Sequence, residues 1–478
     1  MVIYFPYALC WGIALSLLTL VGCMVGNKYY ILTGMVFSAL IASPITSFTV
    51  GAAGAVYASD LVAVVLLLCW FLPSTRALMS PVKPSWYRYY FWLMIVALFS
   101  VIFIAPLTTR ALMERGLIER VRSPIPGIPL PFLIMGFRIL RIILYLIFFA
   151  YPCRMLSDEK SLRFVYKIVL LTIVILGICQ IIHSAKIMDM SFSLPGVGEW
   201  AIETRWYILG QQKMAVGRIY LVGIFVCLIF LYRSWATPMY LAALCTIAMA
   251  LLFSGSRAGL VGLLAAFFIF GLRSKFLGKL LVVLLIAALP IGFMVLSRIV
   301  PERTAAFMQI ITEPSSNYRW IIWKATIANI ASHIYILITG VGFANFRYAM
   351  GAGMAVDHAH SDILTCISEM GIVGATIFLL FLYHLWRDIS SKIKYTVDKF
   401  RWEALCMNGI FVGFVITSLF ENSLYYSAHT LCMQRILLVL FGSYSAFWLQ
   451  QQYSLSSEYL YLDSSFSDDN SHWSVSFE

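Results

Sequence analysis

Long apolar runs are the feature that most constrains how this 478-residue chain can fold. About 20 apolar residues in helical form cross the hydrocarbon core of a bilayer. The chain has thirteen runs near that length, at 6–25, 29–43, 57–72, 89–106, 131–151, 164–183, 216–232, 238–255, 258–272, 279–297, 363–385, 403–420 and 431–449. The second run is short and its neighbourhood can be divided differently, so twelve spans fit equally well. The sequence predicts an all-α polytopic membrane protein with about 12–13 transmembrane helices.

Composition excludes the other classes of protein. Apolar residues make up 61% of the chain, charged residues only 12%, and the mean hydropathy is +0.88. Soluble domains are about 25% charged and leave much of their surface in water, so a globular cytosolic protein, a disordered chain and a secreted disulfide scaffold are excluded. The ten cysteines form no C-x-x-C pair, which predicts free thiols and no metal cluster. A cleaved signal peptide would need a basic residue before its apolar segment, and no Lys or Arg precedes the first run.

The net charge of +12 does not indicate nucleic acid, because most charges flank apolar runs. Eight of the twelve lysines fall in one alternating set of loops, which the positive-inside rule assigns to the cytoplasm: Lys83, Lys160, Lys167, Lys275, Lys279, Lys392, Lys394 and Lys399. The long connections 107–130, 184–215 and 298–362 then face outward, into a periplasm or its equivalent.

Four regions follow from this division. We expect transmembrane helices in 1–297, a helical periplasmic loop in 298–362 and further transmembrane helices in 363–449. The tail 450–478 is acidic and Ser-rich, which predicts a disordered cytoplasmic extension.

The outward loops and their flanks are rich in arginine. Arginine grips phosphate bidentately, whereas lysine acts as a point charge, so an anionic ligand would explain the bias. The alternative for most of them individually is snorkelling to lipid headgroups. These residues are Arg110, Arg115, Arg120, Arg122, Arg205, Arg218, Arg257, Arg298, Arg303, Arg319 and Arg347.

A short small-residue element, Ser254–Gly259, separates two apolar runs and carries Arg257. Small residues let helices approach closely, and the turn puts Arg257 at the outer edge of the membrane. Charges at such depth are functional hypotheses by default. The alternative is a tight helical hairpin with one snorkelling arginine.

A second group, Asn317–Trp320 with Trp323 and Lys324, lies in the long outward loop. Its apolar and aromatic surroundings predict a helix lying on the membrane surface. Arg319 and Trp323 are four residues apart and would share a face of that helix. Tryptophan also stacks on sugar rings, and the alternative role is that of an interfacial anchor.

The densest polar group is Asp357–Asp362, followed by Glu369, Gly371 and Gly374. Ser361 or Asp362 is placed to cap the next apolar helix. Histidine beside carboxylates at a helix entry suits general base catalysis, with His358 and His360 as candidates. Two alternatives stay open: ordinary polar residues at a membrane boundary, and a metal site built from both histidines and carboxylates.

The three groups are predicted on the same side of the membrane, and the loop 298–362 links them. A pyrophosphate-linked substrate needs such a combination of arginines and a base.

These residues resemble the O-antigen ligase and polymerase superfamily of bacterial envelope glycosyltransferases. The resemblance consists of Ser254–Gly259, Arg319 with Trp323, Gly340–Phe343 with Phe346, and an H-x-H-[NS]…E-x-G-x-x-G pattern over His358–Gly374. It covers roughly 200–385. Ser361 stands where asparagine is commoner, which is a mild departure.

The resemblance implies a mechanism for transferring a glycan from a polyprenyl pyrophosphate, typically undecaprenyl, with inversion and without metal or cofactor. His360 would deprotonate the acceptor hydroxyl, with His358 as the alternative base. Arg257 and Arg319 would hold the pyrophosphate, and Arg205 and Arg218 would add contacts. The supporting residues would be Glu369, which orients His360 or the helix start, with Trp323 and Asp362.

Several acceptors share this machinery. We favour ligation of O-antigen to lipid A-core. The second choice is polymerisation of a growing glycan, and the third is transfer to protein hydroxyls. A transporter or flippase of an anionic lipid is the alternative from another class, although its ionisable groups would be expected near the midplane. The expected location is the bacterial inner membrane, amid membrane lipids, with the active site facing the periplasm and no nucleic-acid partner.

Overall fold

The fold of the chain is a bundle of helices, seen in a computed structural model that describes these residues: 6–40, 46–47, 55–79, 83–107, 130–155, 158–184, 207–208, 211–233, 238–275, 278–280, 314–343, 345–346, 359–395, 398–421 and 431–466, with isolated residues between 282 and 298. The helices are α1 (Pro6–Val25), α2 (Lys28–Leu40), α3 (Ala58–Cys69), α4 (Pro73–Ala77), α5 (Tyr87–Phe99), α6 (Leu130–Arg154), α7 (Glu159–Ser184), α8 (Lys213–Arg233), α9 (Pro238–Ser254), α10 (Arg257–Arg273), α11 (Pro314–Ser332), α12 (Ile334–Thr339), α13 (Asp362–Tyr395), α14 (Asp398–Phe420) and α15 (Leu431–Phe466).

Two small hairpins complete the described elements. Strand β1 (Thr46–Ser47) pairs antiparallel with β2 (Ala55–Val56), and β3 (Tyr207–Ile208) pairs antiparallel with β4 (Gln211–Gln212). They lie in connections between helices.

The predicted fold class is confirmed. Within the described part of the chain, four helices are long and apolar enough to cross a membrane: Tyr87–Leu107, Glu159–Ser184, Asp362–Lys394 and Phe400–Phe420. Shorter apolar helices accompany them, and α1, α9 and α10 end within two residues of the predicted runs. The chain is a multi-pass helical membrane protein.

Two regions differ from expectation or lie beyond description. Most of the predicted span 279–297 and most of the connections 107–130 and 184–215 lie outside the described residues. At the other end, α15 continues to Phe466, so 450–466 are helical and not the disordered extension predicted. Leu455, Tyr459 and Leu462 recur at helical spacing there, and this periodicity outweighs the polar composition of the segment.

Helix α13 is broken at Gly371, where φ is +66°. A break frees backbone carbonyls that the bilayer cannot satisfy. The amide of Val341 donates to the Ser368 carbonyl at 2.8 Å, and that of Gly342 donates to the Glu369 carbonyl at 3.0 Å. The loop after α12 therefore caps the first half of α13.

A π-helical turn over Ser100–Ile104, which directly continues α5, faces the same break. The Ser100 hydroxyl donates to the Glu369 carbonyl at 3.3 Å and accepts from the Phe343 amide at 2.9 Å. One side chain thus joins the π-helical turn, the loop after α12 and the first half of α13.

Close helix contacts bring three further ends together. A Cβ on Gly262 of α10 would lie 2.8 Å from the Gly413 carbonyl oxygen of α14, and one on Gly217 of α8 would lie 2.2 Å from the Ser256 Cβ. Because α10 and α14 run antiparallel, the starts of α8 and α10 lie beside the end of α14. We call this the His360 end of the bundle.

The lysine-bearing loops meet at the opposite end. Lys275 after α10 pairs with Asp398 at the start of α14, at 2.8 Å. The Trp86 indole, near Lys83, donates to Ser445 at 3.1 Å. These contacts place Lys275 and Lys83 at the end of the bundle opposite His360; the sidedness of the lysine and arginine loops stays a prediction.

A buried ionic cluster ties α3, α6 and α15 together. Asp60 pairs with Arg435 at 2.5 Å and lies 3.8 Å from Arg141, and Arg435 also donates to Ser59. All three charged side chains are nearly inaccessible. Removing Asp60 would leave two buried arginines without the carboxylate that they share, which is strongly destabilising.

We predict that Gly371→Ala destabilises the protein by about 2 kcal/mol. A Cβ there would lie 2.0 Å from the Ile338 carbonyl oxygen, on a backbone that side chains rarely adopt. Thermal unfolding in detergent measures the loss. The control is Gly136→Ala in α6, where a Cβ would meet nothing within 4 Å; equal melting temperatures for the two variants would contradict the prediction.

Candidate functional site

The turn that carries His360 is held on both sides by hydrogen bonds to Ala359. The Ala359 amide donates to the Thr365 hydroxyl at 3.2 Å, and its carbonyl accepts from the Trp323 indole at 2.8 Å. Beneath it, Ile322 packs with Ala359 and Phe346 in a small apolar cluster. Helix α11 therefore positions the turn through both Ile322 and Trp323.

His360 itself adopts a left-handed backbone conformation, with φ of +51°. Such a conformation is uncommon for residues other than glycine and persists where the surroundings determine it. Here the pinned Ala359 and the start of α13 do so. The ring Nδ1 lies 3.2 Å from Oε2 of Glu421, so the carboxylate orients the imidazole.

Glu421 contacts both His360 and Arg319. It directly follows α14, and its second oxygen, Oε1, accepts from Nη2 of Arg319 on α11. The side chains of Arg319, His360 and Glu421 are 34%, 23% and 15% exposed. One largely buried carboxylate thus binds a histidine and an arginine at the edge of an accessible site.

One more charged residue, Arg218, lies close to this group. Arg218, buried near the start of α8, lies within electrostatic range of Glu421, Asp362 and Arg319. Burial alone would raise the pKa of Glu421, but the hydrogen bond from His360 and the positive charges of Arg218 and Arg319 lower it to about 2. Glu421 is therefore ionised throughout the neutral pH range.

Arg257 is the first residue of α10. The Ser254 hydroxyl accepts from the Ser256 amide at 3.1 Å, and Ser256 caps the helix by accepting from the Gly259 amide at 3.2 Å. The first amides of a helix and its dipole favour an anion. Arg257 adds a cation at that point, and the contact between Ser256 and Gly217 puts it at the His360 end.

The remaining predicted residues either contact other parts of the structure or lie outside the described residues. Glu369 lies nine residues beyond His360, and its Oε1 accepts from the Phe346 amide at 3.4 Å, which holds the loop after α12. The Trp323 indole positions Ala359. Arg205 and His358 lie outside the described residues. In the described ranges, no group of three or more His, Cys, Asp or Glu is placed to hold a metal ion.

The arrangement combines a base with anion-binding groups. If Nδ1–H of His360 donates to Glu421, Nε2 is the nitrogen that takes a proton. Among the described residues, Arg218, Arg257 and Arg319 lie at this end with Glu421 and Asp362, and such a group of arginines favours a negatively charged ligand.

Glu421 is the residue that sequence reasoning missed. It stands alone after a predicted span, 61 residues beyond His360, with no motif around it. The sequence held one weak signal: Glu421 is an acidic residue at the end of an apolar run on the arginine-rich side, and such residues usually pair with a basic one.

Residues 241–379 match the family model described as O-antigen ligase. The matched segment contains Arg257, Arg319 and His360, whereas Arg218 and Glu421 lie outside it. No curated protein matches the chain. The family match confirms the predicted resemblance to the O-antigen ligase superfamily of membrane glycosyltransferases.

We predict that Trp323→Phe loosens the His360 turn. Phenylalanine keeps an aromatic face but loses the hydrogen bond to Ala359, which costs about 1 kcal/mol of unfolding free energy. Amide hydrogen exchange should increase over 359–365. Trp320→Phe is the matched control, since Trp320 is exposed and stacks only with Lys324 among its described contacts. Unchanged exchange in Trp323→Phe would show that the indole has no positioning role.

Proposed function

We propose that this protein, whose segment 241–379 is of the O-antigen ligase type, transfers a glycan from polyprenyl pyrophosphate to an acceptor hydroxyl. The donor lipid is typically undecaprenyl pyrophosphate, and the site faces the periplasm from the bacterial inner membrane. The observation that carries the proposal is the convergence of His360, Glu421 and Arg319, from three separate helices or turns, with Arg218 behind them.

His360 is the general base. The Glu421 carboxylate holds Nδ1, so Nε2 takes the proton of the acceptor hydroxyl. The acceptor oxygen attacks the anomeric carbon, and the bond from that carbon to the pyrophosphate oxygen breaks on the opposite face with inversion. The electron pair leaves with the pyrophosphate.

The arginines hold and stabilise that leaving group. Arg319 is the accessible member, Arg218 is fixed by burial, and Arg257 adds the start of α10. Positive groups placed where charge develops lower the barrier most. His358 remains the alternative base and Arg205 a further donor contact, both on the sequence pattern alone.

Lipid A-core is the acceptor we favour, which makes the protein an O-antigen ligase. A growing glycan as acceptor would make it a polymerase, and a protein hydroxyl would make it an oligosaccharyltransferase. All three use the same His360 and Arg319, so product mass distinguishes them.

We predict that His360→Ala and Arg319→Ala each reduce transfer by about 100-fold or more, since each removes a base or a group that stabilises the leaving pyrophosphate. The assay uses the full chain in proteoliposomes, a synthetic polyprenyl-pyrophosphate glycan, candidate acceptors and EDTA, with products identified by mass.

Matched controls are His333→Ala and Arg88→Ala, both exposed and away from this site. Full activity in His360→Ala would show that His360 is not the base, and His358→Ala would then be the next variant to test. If the folded wild type binds the donor but makes no product with any acceptor, glycosyl transfer is wrong and transport becomes the leading function.

A further inference from the structure

The geometry points to Glu421 as an exchange partner: Arg319 leaves this carboxylate for the pyrophosphate of an incoming donor, and Glu421 then serves His360 and Arg218. The inference rests on the proposed function in one respect, the pyrophosphate ligand. It adds that the site has two arrangements of its charges, and that donor binding converts one into the other.

The first step concerns Arg319. In the structure its guanidinium is bound to Oε1 of Glu421 while its side chain is the most exposed of the three. A guanidinium engaged with a carboxylate at an accessible edge is held ready but not yet available to a phosphate. Pyrophosphate offers more charge and several oxygens for bidentate bonds, so it competes with a single carboxylate oxygen.

The second step concerns what Glu421 keeps. Its other oxygen, Oε2, stays 3.2 Å from His360 Nδ1, and buried Arg218 stays within electrostatic range. Glu421 therefore does not become an isolated buried charge when Arg319 leaves, which would be costly. Arg218 cannot follow Arg319 outward, because it is buried in α8.

The third step concerns His360. While Arg319 is bound to Glu421, the arginine neutralises part of the charge that faces the imidazole. After the exchange, the carboxylate stabilises the imidazolium that forms when the acceptor proton moves to Nε2. The charged groups that act on this carboxylate are His360, Arg218 and Arg319, and Asp362 acts on Arg218. The base thus becomes fully effective only on the donor-loaded protein.

The exchange makes an unusual prediction for Glu421→Gln. Glutamine no longer holds Arg319, so the variant should bind inorganic pyrophosphate tighter than the wild type, by roughly twofold to tenfold. Its donor KM should fall as well, while kcat falls by about tenfold or more, because the imidazolium loses its carboxylate. A purely structural role for Glu421 would weaken binding and turnover together.

The test is calorimetric titration of the full chain in detergent with inorganic pyrophosphate, at constant ionic strength, as a double-mutant cycle. The variants are Glu421→Gln, Arg319→Gln and the pair together. The gain in affinity should vanish when Arg319 is absent. A gain of equal size without Arg319 would mean general charge repulsion, and no gain would mean that Glu421 does not restrain Arg319; either result overturns the exchange.

Two further variants guard the interpretation. Glu421→Asp keeps the charge and disturbs packing least, but its shorter side chain cannot reach both partners. It should still gain affinity, and an affinity no better than that of the wild type would overturn the exchange even if Glu421→Gln fails to fold. Asp398→Asn, which removes a carboxylate at the lysine end, should leave pyrophosphate binding unchanged.

Failure of the exchange and failure of the proposed function give different results. Glycan transfer by the wild type without a gain in Glu421→Gln refutes only the exchange. A gain that depends on Arg319, in a protein that transfers no glycan, refutes only the transfer. Absence of any pyrophosphate binding by the folded wild type refutes the exchange directly.

Discussion

The break in α13 at Gly371 is the constraint on which the site depends. Backbone carbonyls freed inside a membrane protein must find donors within the protein, and those of Ser368 and Glu369 find them in the loop 340–343. That loop follows directly from α12 and α11. The break therefore fixes how far α11 lies along the bundle axis. The position of Arg319 relative to His360 follows from that.

The site that results is organised around shared partners. Ala359 accepts a hydrogen bond from α11 and donates one to α13, and Glu421 binds both Arg319 of α11 and the ring of His360. Helix α10 reaches the same end through its close packing on α14. No element carries the site alone, so a shift of any of these helix ends alters the distances between His360 and the arginines.

The sequence was sufficient for much of this. Apolar runs predict the helices, and lysine spacing predicts which loops share an end, because both reflect the solvent that each residue meets. The motifs around Arg257, Arg319 and His360 indicated the candidate site. Trp323 and Glu369 were associated with it by spacing, but spacing cannot tell that the indole binds a backbone carbonyl or that the carboxylate holds the loop at Phe346. The pairing of Glu421 with His360 could not be predicted, since it depends on how α14 packs against α11 and α13.

The π-helical turn at Ser100–Ile104 has a consequence for the length of the chain. A π turn contains one residue more than the α-helical turn it replaces. Each residue of an α-helix turns the chain by about 100°, so deleting one residue from 101–104 would restore a regular helix and rotate Ser100 away from the face it shares with Ala105. The Glu369 carbonyl and the Phe343 amide would then lose a common partner. The contacts made at the break in α13 thus depend on the number of residues in the π-helical turn after α5, and not only on their identity.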